Sequence, residues 1–230
     1  SVGINNKTID IYKYLKFKTG KLNHHFIQNQ NLKKKIISKI PKSLVMRNFA
    51  KLSNNFEVKQ VTLKEIKKKF IFKKLINFNP YKDYLYVKRK FFNHPLNNYK
   101  FYGLVYKNEI LCFVILRIQN YKTSNCMRIL DFYGKERYLK YITSYLMNSK
   151  EFKSSEYLDF YNYGLNEKYL KEAGFFNKKN FKKNLVIPDL FGPFLKKNTD
   201  VLFFINKQRI NNVRIFRADG DQDTPINKKI

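Results

Sequence analysis

The stretch Asp131-Phe132-Tyr133-Gly134-Lys135-Glu136-Arg137-Tyr138 brings together residue types that can do chemistry as a group. It reads as the end of a hydrophobic strand turning through Gly134 into a helix. The start of a helix presents backbone N–H groups that have no partner inside the helix, and its dipole favours negative charge, so such a turn can receive a phosphate. Lys135 and Arg137 would add positive charge to it. Asp131, at the strand end, stands where a proton acceptor would be useful, and Tyr163, after the next strand, where a donor would. Plainer roles fit the same residues: Gly134 as punctuation, Asp131 as a cap on the following helix, Tyr163 as a core aromatic.

Other constellations are weaker. Asp219, Asp221 and Asp223 alternate as in a calcium loop, but the twelfth position, where a bidentate Glu belongs, is Ile230. His24, His25 and His94 have no cysteine or carboxylate at metal-ligand spacing, so no metal site is expected. No Ser/His/Asp nucleophile pattern, P-loop or zinc knuckle is present.

At 230 residues the chain fits one domain with additions, or one and a half. Its 22 Phe and 17 Tyr, with no Trp, predict an aromatic core. No apolar run approaches the roughly 18 residues that cross a bilayer, and Asn5, Asn6, Lys7 and Asp10 interrupt any signal-peptide core. Cys112 and Cys126 lie in strand-like stretches and are expected as buried free thiols of a cytoplasmic protein. Lys and Arg number 47 against 17 Asp and Glu, a net charge of +30 that attracts polyanions, tRNA among them. The lysines are spread along the chain beside abundant Asn, Ile, Phe and Tyr, which is also what an AT-rich genome writes at permissive surface positions.

The elements that must position these residues follow from periodicity. Residues 4–17 and 163–175 share one plan, a short amphipathic helix left through Lys16 or Gly174 into a Phe. Leu22, His24, Phe26 and Gln28 would share one strand face, and a further strand is expected over 33–40. Thr62 and Glu65 form a capping box, with Val61 and Ile66 as a hydrophobic staple, and open a helix expected to reach Asn77. A second helix is expected over 81–92, stopping before His94-Pro95. Two apolar runs joined by Lys107-Asn108 read as a hairpin, followed by a strand over 127–133, a helix over 135–149, a strand over 156–161 and a helix over 166–173. Strands over 201–205 and 213–216 would finish the sheet. Residues 1–45 then read as the end of one unit, 46–55 as a linker and 56–230 as a second, complete unit. The fold class is α/β of the mixed kind, a twisted mixed sheet with helices on both faces.

This order resembles the GCN5-related N-acetyltransferase (GNAT) superfamily. Val58–Glu65 is similar to its first strand and capped helix. Asn5, Thr8, Tyr12, Leu15 and Phe17 resemble its late Asn-x-x-Ala-x-x-x-Tyr-x-x-x-Gly-Phe pattern, with Thr8 for Ala and Lys16 for Gly. Gly174-Phe175 keeps the ending in the second copy. Asn93-His94-Pro95, Gly20-Lys21-Leu22-Asn23-His24 and the tail from Phe216 to Asp223 resemble tandem GNAT-like bacterial proteins of surface-polysaccharide synthesis. The resemblance implies acyl transfer from acyl-CoA, with acetyl-CoA the expected donor, to the amine of an amino-sugar precursor. It implies Asp131 as the base, Tyr163 as the acid or a substrate contact, and Gly134, Lys135 and Arg137 around the donor pyrophosphate. Where the family carries an Arg/Gln-x-x-Gly-x-Gly/Ala loop, only Gly134 is kept. Val in place of Gly134 is expected to weaken donor binding while leaving the fold largely intact. Two alternatives stand beside this: a Fem-like transferase using aminoacyl-tRNA, and a catalytically inert basic module that binds nucleic acid or a protein.

Overall fold

The computed structural model describes residues 1–41, 44, 55–94, 97–181, 185–189, 195–206 and 212–220. The expected linker over 46–55 falls outside the described residues except for Asn55, as do Pro95, Asp221 and Asp223.

In chain order the elements begin with β1 (Val2–Ile4), α1 (Ile9–Tyr14), β2 (Lys18–Lys21) and β3 (Asn23–Gln28). There follow β4 (Glu57–Gln60), α2 (Leu63–Lys69) and α3 (Tyr84–Val87), then the long strands β5 (Lys100–Tyr106), β6 (Glu109–Tyr121) and β7 (Ser124–Gly134). The chain continues through α4 (Leu139–Asn148), α5 (Lys150–Ser154), β8 (Tyr157–Tyr163), α6 (Glu167–Glu172) and β9 (Phe176–Asn177), and ends in β10 (Leu202–Ile205) and β11 (Ile215–Phe216).

The large sheet runs β4-β5-β6-β7-β8-β3-β9, with β11 added to β8. Its first four strands form an antiparallel meander, and Lys107 and Asn108 close the β5–β6 hairpin with positive φ at both positions, a type I′ signature. β7 and β8 are adjacent and parallel, as the helix between them requires of a crossover. β3, from the first thirty residues, lies inside this sheet between β8 and β9. β1, β10 and β2 make a separate three-stranded sheet, so the expected strand near 201–205 does not extend the large one.

Strand alternation separates two of the four core clusters found among the described residues. Cys112, Val114 and Leu116 of β6 face α4 and α6 through Leu139, Ile142, Leu146 and Leu170. Phe113 and Ile115 face the layer of α2 and α3 through Ile66, Phe70 and Val87. Helices therefore cover both faces of a mixed sheet. Cys112 and Cys126 are buried free thiols.

The helical stretches are shorter than their periodicity suggests. The Thr62–Glu65 capping box is formed, but α2 ends at Lys69 because Phe70 turns extended and buries its ring edge-on against Phe72 and Phe113. Asp83 caps the next helix at Tyr86 N–H, so that helix starts at Tyr84 rather than at Tyr81. The strand expected over 33–40 does not form. Ile36, Ile37 and Ser38 turn their N–H groups onto the buried Glu156 carboxylate instead of onto a neighbouring strand; only Lys39 makes a bridge, to Val186.

Candidate functional site

The ladder between β7 and β8 is short, from Met127 opposite Leu158 to Ile129 opposite Phe160. β7 continues to Gly134 and β8 to Tyr163 without pairing to each other. Since β3 occupies the other edge of β8 along Tyr157–Asn162, the edge of β8 left open beyond Phe160 faces β7. β11 takes it: Ile215 pairs with Tyr163 and Phe216 with Asn162. The chain's own segment 212–220 thus lies in the parting of the two parallel strands.

This segment is built into the core. Phe216 stacks on Phe160 at 5.5 Å and belongs to one core cluster, while Ala218 belongs to the other. Gly164, at φ +89, lets the segment approach; a Cβ there would sit 1.8 Å from the Val213 carbonyl oxygen. Arg214 donates to the Gly134 carbonyl at 3.0 Å and to the Glu136 carboxylate at 2.6 Å, with its guanidinium 3.6 Å from the Phe78 ring centre.

Asp131 is completely buried beneath this segment. Lys82 Nζ donates to both of its oxygens at 2.9 Å and reaches Asp219 at 2.9 Å. The Tyr133 hydroxyl and the Phe132 N–H also donate to Asp131. Asp219 in turn accepts from Phe216 N–H. Burial alone would lower the Lys82 pKa, but the two carboxylates outweigh it and raise it. Burial pushes Asp131 up to about 6; Lys82 works against this and Asp219 adds to it. Two carboxylates share one ammonium, so the group carries an excess negative charge that a proton would neutralise.

A second buried network lies at the paired end of the ladder. Arg128 donates to both oxygens of Asp159, and through another nitrogen to Asp189, which also accepts from Arg217. His24 Nε2 meets Asp159 at 2.9 Å, and its ring stacks on Tyr161 at 3.8 Å. Burial opposes ionisation of Asp159, but the Arg128 guanidinium and His24 hold it down at about 2. Burial also pulls His24 down, to about 4, against the pull of Asp159, so His24 is neutral at pH 7.

The structure places the residues singled out in the sequence as follows. Asp131 and Tyr163 stand on neighbouring strands and both contact the interposed segment, Asp131 through Lys82 and Asp219, Tyr163 by pairing with Ile215. Gly134, Lys135 and Arg137 share one strand-to-helix turn; Lys135 and Arg137 are exposed, and Arg137 donates to the Tyr138 hydroxyl. The position of Gly134 is fixed by packing. At φ +118, a Cβ would meet Cys112 Cβ at 2.6 Å and the Leu111 oxygen at 2.7 Å, so Val there would disturb the fold and the expectation of an intact fold is corrected.

The turn does not fit a pyrophosphate. Glu136 places a carboxylate in it, accepting from Asn166 N–H on one side and from Arg214 on the other, and Arg214 is neutralised there. Among the described residues no cluster of three or more His, Cys, Asp or Glu could hold a metal ion. Sequence reasoning missed Lys82, Arg128, Asp159, Arg214 and Asp219 as partners. The available signal was a charge inside an apolar run, as with Arg128, Asp131 and Asp159, because a strand buried on both faces tolerates a charge only when it is paired.

No protein-family model matches the chain, and no curated protein matches it. Among solved structures the chain is similar to a functionally unknown conserved protein from Staphylococcus epidermidis ATCC 12228, at 12% identity and a TM-score of 0.44. The likeness covers 76% of this chain and 64% of that one. No helix among the described residues is long and apolar enough to cross a membrane.

Proposed function

We propose that this chain is a GNAT-like unit without an acyl-transfer site of its own, a basic module that acts by binding a partner. One observation carries the reading. The segment from Arg214 to Phe216 and on to Asp219 occupies the parting of β7 and β8, between the expected base Asp131 and the expected acid Tyr163, and it does so with its side chains in the core. Asp131, the expected base, has no solvent-facing surface and is bonded to Lys82. The strand order, the formed capping box and the parallel β7–β8 pair support the GNAT-like part of the proposal. Titration calorimetry with acetyl-CoA at moderate salt, together with turnover assays on a panel of amino sugars, tests it. Neither saturable binding nor acetylated product is expected. Product formation that is lost in Asp131→Asn would overturn the reading.

Acyl transfer from acyl-CoA to the amine of an amino-sugar precursor of a bacterial surface polysaccharide is the second reading. It is favoured by the pKa of Asp131 near 6, the range a base working near neutrality requires. It needs segment 212–220 to withdraw. Transfer from aminoacyl-tRNA has the overall charge of +30 in its favour.

A further inference from the structure

The layer that covers one face of the sheet, residues 63–92, has an unusual outer side. Its inner side is ordinary core: Ile66, Phe70, Leu75, Val87 and Phe91 are buried against β5 and β6. Yet five of the ten large apolar side chains exposed among the described residues also belong to this layer: Ile71 (42%), Ile76 (63%), Tyr81 (43%), Leu85 (51%) and Phe92 (47%). Around them Lys64, Lys67, Lys68, Lys73, Lys88 and Arg89 are exposed. The two acids of the layer do not balance this charge. Glu65 is bound into the capping box and Asp83 into the cap at Tyr86. α2, α3 and the turns between them make one layer: Lys67 Nζ lies 5.4 Å from the Tyr84 ring centre, Phe72 is edge-on to the same ring, and all of them bury side chains in the same core cluster.

We propose that this face docks on an anionic phospholipid bilayer surface. Exposed apolar side chains gathered within a cationic surround mark an interaction site. A polyanion is the partner that lysines without balancing acids select. Ile71, Ile76 and Leu85 decide between polyanions. Single-stranded nucleic acid is held by rings that stack on bases, which aliphatic side chains cannot do, whereas aliphatic and aromatic side chains both enter the boundary between headgroups and acyl chains while lysines meet the headgroups. The face lies on the surface and does not span the bilayer. The inference rests on the reading that the module acts by binding, and its test is separate from the acetyl-CoA titration, whose outcome it leaves untouched.

The chain has no Trp, so a single introduced Trp reports its own surroundings. Leu85→Trp, mixed with phosphatidylcholine vesicles containing phosphatidylglycerol at moderate salt, should shift its emission to the blue and be quenched by brominated acyl chains. Tyr145→Trp, on α4 against the opposite face of the sheet, is the control and should stay in water. Ile76→Ser with Leu85→Ser, both exposed and so neutral to folding, should weaken sedimentation with these vesicles by roughly tenfold. Three outcomes overturn the proposal: no shift at position 85, a shift at position 145 instead, or vesicle binding unchanged by the paired serine variant, which would reveal charge attraction alone. Displacement from the vesicles by tRNA, with the Trp at position 85 quenched by stacking, would assign the face to nucleic acid and overturn it too.

Discussion

Arg128 and Asp159 stand opposite each other on the parallel strands β7 and β8, and the guanidinium holds the carboxylate by two bonds of 2.8 and 2.6 Å. Both side chains are buried, so the pair is in effect the rivet of the short β7–β8 ladder. Removing one partner strands a charge in the core. Arg128→Met should therefore lower stability by about 3–5 kcal/mol, read as a shifted urea midpoint with unchanged slope. An unmoved midpoint would mean that the ladder does not depend on the pair.

His24 adds a pH dependence to this network. Its folded pKa, about 4, lies below its ordinary value of 6.5. As pH falls through that window the unfolded chain takes up a proton that the fold refuses, so this residue withdraws up to about 3 kcal/mol of stability. Asp131 acts in the opposite direction. Its folded pKa, about 6, lies above the unfolded 3.8, so stability is gained as pH falls from about 6 to 3.8. The net slope conceals both contributions. The stability difference between wild type and His24→Gln isolates the first, and it should move against the wild type by up to about 3 kcal/mol from pH 6.5 to pH 4.

Lys82→Met should cost about 3–5 kcal/mol at neutral pH, because Asp131 and Asp219 would then share a buried site with no cation. The cost should shrink in mild acid. Without the ammonium, Asp131 rises further, the fold binds protons that the unfolded chain releases, and stability returns as pH falls towards 3.8. Chemical denaturation at pH 7 and pH 5 measures this; an equal cost at both would show that Lys82 acts through packing alone.

Gly134→Ala should destabilise by about 2 kcal/mol or more, combining a positive φ with overlap on Cys112 and the Leu111 carbonyl. A glycine kept only for a phosphate would give a variant that folds normally and loses ligand affinity. Thermal melting with and without acetyl-CoA separates the two.

The sequence made local features legible wherever the chain obeys local rules. The shared plan of residues 4–17 and 163–175 is visible in the geometry. Phe17 N–H reaches the Tyr12 carbonyl and Phe175 N–H the Leu170 carbonyl, with Lys16 and Gly174 both at positive φ between them. The hairpin, the capping box and the crossover helix are equally direct. What escaped was everything decided at a distance. No spacing reveals that β3 enters the sheet between β8 and β9, that 36–38 wraps Glu156, or that Asp219 completes a group with Lys82 and Asp131. Lys82 and Asp131 lie 49 residues apart and Lys82 and Asp219 lie 137 apart, so their partnership is written only in the fold.

The position of β3 also has a bearing on how the molecule is made. His24 lies 135 residues ahead of Asp159, the partner that receives it. A ribosome adding about 5–20 residues per second exposes β3 on the order of ten seconds before β8 emerges. Throughout that interval a six-residue strand with Phe26 and Ile27 at its centre has neither of its neighbours. The meander β4-β5-β6-β7 can close during the wait, since its contacts are between neighbours in sequence. β3 is therefore made well before the strands that receive it, and a nascent-chain chaperone would have a long engagement there.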